Sequence, residues 1–423
     1  MSTLSPSTKE SLEAYTGVEV ARPLDPTDRA RHIDIIRGIA VFGLIWSNLN
    51  AGFFSGPVTA ADSAARWATT VFSAGKFFTL FSLLFGVTLA MQLERAEHGS
   101  SSFAARWARR MLALFVIGWA HALLFWPGDI LREYAIAGAM LVIFRRAKNR
   151  TVLVAAVAAL MLAASRDSFS VTVTRLIGGD IEAVRHREQP DSAQLLRRRL
   201  AGEALRSGTY SDVVRTRIEV FPREQLLRAS SPAGPLNWIS PWYLGLFLLG
   251  LVLGRRNIVQ QPEQHRGVVL ALLTVGATVG LPLNVYLAAT PAWLVNNPVY
   301  WPLAIVAKLT LSLGYLGGLL LLLQRRTWLT RLRWLAPVGR LALTNYVAQT
   351  AFLMFIKSGY GLGLEPILGW FACFVVALLF YLVQVWWSNW WVGRFRFGPL
   401  EWLWRRLSYR TAIAMHARPV TAV

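Results

Sequence analysis

The sequence predicts an all-α, polytopic transmembrane helix bundle of about ten spans with a long external insert. Three observations carry that prediction. Of the 423 residues, 54% are hydrophobic and only 16% are charged, more apolar surface than a soluble core of this length hides. Apolar runs close to the roughly 20 residues that cross a bilayer recur along the chain. The short segments between them alternate between basic and nearly base-free.

Composition also excludes. The net charge is +21, from 44 Lys and Arg against 23 Asp and Glu. A nucleic-acid binder would cluster such charge on one polar face, whereas here it lies between apolar runs, so nucleic acid is not an expected partner. The single cysteine, Cys373, sits inside an apolar run, which excludes an internal disulfide and a cysteine metal site. No zinc spacing, P-loop or Gly-x-Ser-x-Gly elbow is present, and no metal is expected. The first thirty residues are polar and lack an apolar core, so no cleavable signal peptide is expected before the first span.

In chain order the expected parts are a cytoplasmic tail (1–30), a first bundle half (31–165), an external insert (166–237), a second bundle half (238–392) and a cytoplasmic or interfacial tail (393–423). The candidate spans are 33–54, 72–93, 107–126, 129–145, 151–165, 238–254, 268–289, 300–323, 335–357 and 367–390. With the N-terminus inside, the inner segments read "ERAEHGSSSFAARWARR", "RRAKNR", "GRRNIVQQPEQHR", "QRRTWLTRLRW" and "GRFRFGPLEWLWRRLSYR", all basic. The outer ones, "SGPVTAADSAARW", "WPGD", "TPAWLVNNP" and "KSGYGLGLEP", hold almost no basic residues. Both termini are therefore expected in the cytoplasm. The insert is basic, but long loops escape that rule. Its Leu195, Leu196, Leu200, Leu205, Val213 and Val214 recur with helical period among arginines. Helices on the outer membrane face or over the bundle are expected; the alternative is a solvated, partly disordered insert.

Ionisable and amide groups inside spans mark candidate sites. In the first span, Asp34 and Arg37 are three residues apart and can pair on one face, and Asn48 follows Arg37 by eleven residues, about three turns. The pair reads either as an interfacial ion pair or as a ligand group, and Asn48 as an inter-helix hydrogen bond or a site residue. Lys76 sits near the outer end of the second span, where snorkelling is the plain alternative. In "GWAHALLFWPGDILREYAIAG" the tight turn can bring His121 and Asp129 together, with Tyr134 following. Histidine can act as a general base, and a carboxylate on its other nitrogen fixes the tautomer. In the ninth span Arg340 lies at the inner entrance, where it wants an anion. Asn345 and Gln349 share a face at mid-depth, where helix–helix polar glue competes with a binding role.

These stretches resemble the YeiB-like family of bacterial membrane proteins, filed as a domain of unknown function. The motifs are "RHIDIIRGIAVFGLIWSNLN", "GKFFTLFSLLFG", "GWAHALLFWPGDILREYAIAG", "PVGRLALTNYVAQT" and "FGPLEWLWRRLSY", running from residue 31 to about 410. More distantly, Asp34, Arg37, Gly38 and Asn48 look like the first span of the heparan-sulfate N-acetyltransferase group of transmembrane acyltransferases. That likeness implies an acyl group carried from coenzyme A on the inner side to an acceptor on the far side. The group places a catalytic histidine shortly after the first span, and "AGFFSGPVTAADSAARW" contains none. Either His121 serves as the base from another helix, or this branch does different chemistry or none.

The leading expectation is therefore a membrane acyltransferase using acyl-coenzyme A as donor and an extracytoplasmic or lipid-linked acceptor. Asp34, Arg37, Lys76, Tyr134, Arg340, Asn345 and Gln349 would bind donor or substrate, and His121, Asp129 and Asn48 would do the chemistry. The competing expectation is a transporter or flippase for a lipid or small solute; a third is a structural or regulatory membrane protein. Membrane lipids and a lipid or small-molecule substrate are the expected partners, and a homo-oligomer is left open.

Overall fold

At the centre of the computed structural model, which describes residues 26–49, 58–97, 103–165, 192–229, 240–290, 299–409 and 415, is helix α1 (Pro26–Leu49). Its Ile33, Ile35, Ile36, Ala40, Val41, Ile45 and Leu49 are each no more than 2% exposed. A helix buried on nearly all sides belongs inside a bundle. There follow α2 (Ala60–Ala68) with a π-helical turn (Thr69–Ser73), α3 (Lys76–Glu97), α4 (Phe103–Leu124), α5 (Leu131–Met140) with a 3-10 turn (Leu141–Arg146) and α6 (Asn149–Ala164). The described part of the insert forms α7 (Ser192–Ser207) and α8 (Tyr210–Ala229). The second half holds α9 (Pro241–Arg255), α10 (Arg266–Val275), α11 (Leu281–Ala289), α12 (Tyr300–Leu323), α13 (Arg326–Arg331), α14 (Ala336–Arg340), α15 (Ala342–Lys357) and α16 (Trp370–Val392). Last comes α17 (Pro399–Tyr409). No strand occurs among the described residues.

Each expected apolar run falls on a helix. Five helices among the described residues are long and apolar enough to cross a membrane alone: Arg31–Leu49, Ala60–Leu93, Arg266–Ala289, Tyr300–Leu323 and Trp370–Val392. α6 and α9 are apolar but shorter, at 16 and 15 residues. Burial sorts these helices. The Arg31–Leu49 window is 67% buried, against 22% for Arg266–Ala289 and 28% for Trp370–Val392. The last two turn bare apolar faces outward, Leu270, Val279, Leu379 and Trp386 among them, which is the surface a lipid phase covers. The protein is an all-α membrane bundle.

Two boundaries differ from expectation. α1 begins at Pro26, inside the segment expected to be tail. The second run starts at Ala60 rather than 72, because Thr59 and Asp62 form a reciprocal capping box, with Asp62 N–H donating to Thr59 Oγ1 at 3.2 Å and Thr59 N–H to the carboxylate at 3.0 Å. It then breaks at Gly75, whose φ of 80° suits a residue without Cβ.

Small residues set the closest crossings. A methyl group on Gly86 would overlap the Phe247 carbonyl, and one on Gly250 the Leu83 carbonyl, so α3 and α9 touch backbone to backbone. α14 lies equally close on α1, where Gly339 faces the Asp34 carbonyl. The insert helices dock where α4 ends. Tyr210 Oη and Arg217 Nη1 both donate to the Leu124 carbonyl, at 3.2 and 3.0 Å, and Phe221 packs edge-on against Trp119. A carbonyl left bare at a helix end is thus satisfied from outside its own helix.

Candidate functional site

A cavity of about 620 Å³ opens between α1, α3, α4, α5, α15 and α17. At one end its wall carries five arginines, Arg37, Arg106, Arg110, Arg340 and Arg405, against two carboxylates, Asp34 and Glu401. Its deeper wall is apolar, with Leu44, Phe81, Leu114, Ile130, Tyr134 and Tyr346. Asp34 and Leu44 are ten residues apart on α1, so the lined wall extends about 15 Å along the helix.

The charged mouth is ordered by neighbouring helices. Arg37 Nη1 donates to Asp34 Oδ1 at 3.1 Å, and its Nη2 to Thr88 Oγ1 on α3. Arg340, carried by α14, interacts electrostatically with the same Asp34 carboxylate. Arg110 donates to Gln92 Oε1 at 3.1 Å and lies 4.0 Å over the Trp404 ring. Glu401 accepts from the Leu343 and Thr344 N–H groups at 2.8 and 3.1 Å and from Thr344 Oγ1 at 2.5 Å, so α17 caps the start of α15. Burial pushes the Glu401 carboxyl above its usual range, and these bonds oppose the rise. Asp34 pairs with Arg37 and Glu401 caps a helix start, so arginines outnumber carboxylates five to two along this wall among the described residues.

Behind the apolar wall lies the pair the short turn forms. α4 ends with the Phe125 and Trp126 N–H groups both on the His121 carbonyl, and Pro127 and Gly128 turn the chain back. His121 Nδ1 then meets Asp129 Oδ1 at 2.8 Å, and Asp129 Oδ2 accepts the Arg132 N–H in the first turn of α5 at 3.0 Å. His121 is 3% and Asp129 2% exposed. An Asp carboxylate on Nδ1 fixes the proton there and leaves the Nε2 lone pair free. Nε2 is buried without a hydrogen-bond partner among the described residues. The His121 ring lies 5.3 Å from that of Tyr346, a cavity-wall residue, so one aromatic ring separates the dyad from the cavity. The insert reaches the other side of the same region: Arg132 lies 5.0 Å over Phe221.

The remaining expected site residues divide. Tyr134 lines the cavity, its hydroxyl 2.5 Å from Ser82 Oγ. Asn345 and Gln349 do not line it. Gln349 Nε2 donates to Gln384 Oε1 at 2.8 Å and to the Val41 carbonyl at 3.0 Å. Gln384 returns a bond to Asn345 Oδ1 at 3.1 Å, and Asn345 Nδ2 donates to Ser388 Oγ at 3.0 Å. This knot ties α15 to α16 and α1. Asn48 is half-buried and Lys76 buried; neither lines the cavity. None of Asn48, Lys76, His121 and Asp129 is among the residues that line this cavity. Depth along a helix fixes height, not which neighbour a side chain faces.

Sequence reasoning passed over Arg106, Arg110, Glu401 and Trp404. The first two read only as topology charges; "GPLEWLWR" read as a headgroup anchor, although a glutamate among aromatics is itself a signal of a buried partner.

A family model described as "Protein of unknown function (DUF418)" matches residues 253–411. The uncharacterized protein YxaH of Bacillus subtilis (strain 168) is 30% identical over 414 residues, covering 91% of this chain and 96% of that one. The uncharacterized protein YeiB of Escherichia coli (strain K12) is 29% identical over 416 residues, covering 90% and 96%. An uncharacterized 39.9 kDa protein from the amylase 3' region of Bacillus acidopullulyticus is 26% identical over 393 residues, covering 92% and 96%. No solved structure matches the chain.

Proposed function

The chain belongs to the YeiB-like DUF418 family, described only as of unknown function, and from its cavity we propose that it is a membrane acyltransferase. Acyl-coenzyme A is the donor, and a lipid-linked or extracytoplasmic molecule is the acceptor. The supporting observation is the cavity itself, with arginines at one end, apolar walls beyond them and the His121–Asp129 pair one ring behind. Arg37, Arg106 and Arg340 bind the donor phosphates, for which guanidinium geometry is suited. The apolar wall takes the acyl chain. His121 Nε2 removes the acceptor proton, with Asp129 holding the ring; the acceptor atom attacks the thioester carbonyl, the C–S bond breaks, and coenzyme A leaves as the thiol with that proton. The arginine end faces the cytoplasm of the inner membrane, in keeping with the basic inner loops. Tyr346 must turn aside for Nε2 to reach the acceptor.

That last requirement gives weight to a second reading, a transporter or flippase whose cargo occupies the same cavity. Proteoliposomes separate the two. Radiolabelled acyl-coenzyme A supplied on the arginine side should leave label on an acceptor, and Arg340→Ala should reduce it. Flux of lipid or solute without any acyl donor, and no transferred label, would replace the enzyme reading with the transport one.

A further inference from the structure

A second group of cations sits far from the arginine mouth. Lys76 opens α3 and is 2% exposed. Gln92, at the mouth, lies sixteen residues further along the same helix, about 24 Å away. The Lys76 ammonium donates to the Thr70 carbonyl, the one hydrogen bond seen for its three donors among the described residues. Lys308, on α12, lies across Gly75, its Cδ 3.1 Å from where a side chain there would begin. One turn later Ser312 Oγ donates to the Lys76 carbonyl at 2.9 Å, locking α12 to the start of α3. The two ammonium groups repel each other, and no carboxylate acts on either among the described residues. Residues 50–57 and 291–298, which adjoin this end in sequence, contain no Asp or Glu.

Two neighbouring cations out of water are unfavourable alone, and an anion between them reverses the sign of the interaction. Lysine presents a compact point charge with donors free to rotate, which suits a phosphate at any angle. We propose that Lys76 and Lys308 form an anion site for a phosphate group, borne by a lipid headgroup or free in solution. It lies at the end of the bundle opposite Arg37 and Arg340. The site is separate from the arginine cavity and does not depend on acyl transfer.

The test is thermal unfolding of the full chain in neutral detergent at constant ionic strength. The probes are inorganic phosphate and, separately, micelles doped with phosphatidylglycerol. The wild type should gain about 2–4 °C at roughly a hundred times the half-saturating probe concentration. Lys308 is only partly buried, so its variants carry the test. Lys308→Met should lose the gain and Lys308→Arg should keep it. A gain with phosphate assigns a free anion, and a gain with phosphatidylglycerol alone assigns a headgroup. No gain with either probe, or an equal gain in Lys308→Met, overturns the site.

Discussion

Replacing Asp129 by alanine and by asparagine separates the structural work of this carboxylate from its proposed catalytic work. Alanine removes the 2.8 Å bond to His121 Nδ1 and the 3.0 Å bond to the Arg132 N–H. Bonds to a charged group contribute about 1.5–3 kcal/mol each, and removing the buried carboxylate also relieves its own desolvation. A net loss of about 2–4 kcal/mol follows, or some 2–4 °C in unfolding temperature at about 1 °C per kcal/mol for a chain of this size. Asparagine is nearly isosteric. Its carbonyl keeps the Arg132 bond, but its amide can only donate to His121 Nδ1. The ring proton then moves to Nε2, the atom proposed to accept one. Asp129→Asn should lose less than half as much stability as the alanine variant and yet lose about 100-fold or more in acyl transfer. Unfolding would be followed by intrinsic tryptophan fluorescence in detergent, and transfer by label in proteoliposomes. Full transfer by Asp129→Asn would refute the base role of His121. An unfolding temperature for Asp129→Ala within about 1 °C of wild type would refute the buried bonds themselves.

Three further outcomes are expected. Arg106→Ala and Arg340→Ala should each weaken binding of a coenzyme A thioester by about 10-fold or more, measured by calorimetry, with little change in unfolding temperature, since both line the mouth. Gln384→Leu should destabilise by about 2–4 kcal/mol, because Gln384 bonds both Gln349 and Asn345 while buried; calorimetric unfolding would show it. Asp212 caps α8, and bonds from the Thr209 hydroxyl and N–H hold its carboxyl below the usual range. Its stabilisation is therefore complete above the ordinary carboxylate pKa and is lost as pH falls through the lowered value. Hydrogen-exchange protection at the start of α8, relative to the intrinsic rate at each pH, should fall below about pH 4 in the wild type and be low already at neutral pH in Asp212→Ala.

The spans were legible because hydropathy integrates over many residues, and α12 begins and ends where its apolar run does. The His121–Asp129 contact was legible because only seven residues, "ALLFWPG", separate the two, so local geometry decides it. Other site features were not. Asn345 and Gln349 share a face of α15, but whether that face meets the cavity or Gln384 depends on how α15 is rotated against α16, which no local pattern encodes. Gln384 and Ser388 stood in plain view within an apolar run, and a glutamine there is a signal that a polar partner waits on another helix. Lys76 shows the same limit. Its height was readable, its neighbour Lys308 was not, because 231 residues lie between them.

α17 follows every spanning helix in sequence, yet it supplies Glu401, Trp404, Arg405 and Ser408 to the cavity wall and the cap for α15. During synthesis the membrane helices can therefore assemble while the cavity still lacks one side and the first N–H groups of α15 lack their acceptor. The cavity wall is completed only after the last span has left the insertion machinery, so the newly inserted bundle is expected to pass through a period in which its spans are packed and its cavity is open. A ribosome-stalled chain ending before Pro399 would capture that species, and adding the α17 peptide in trans would close it.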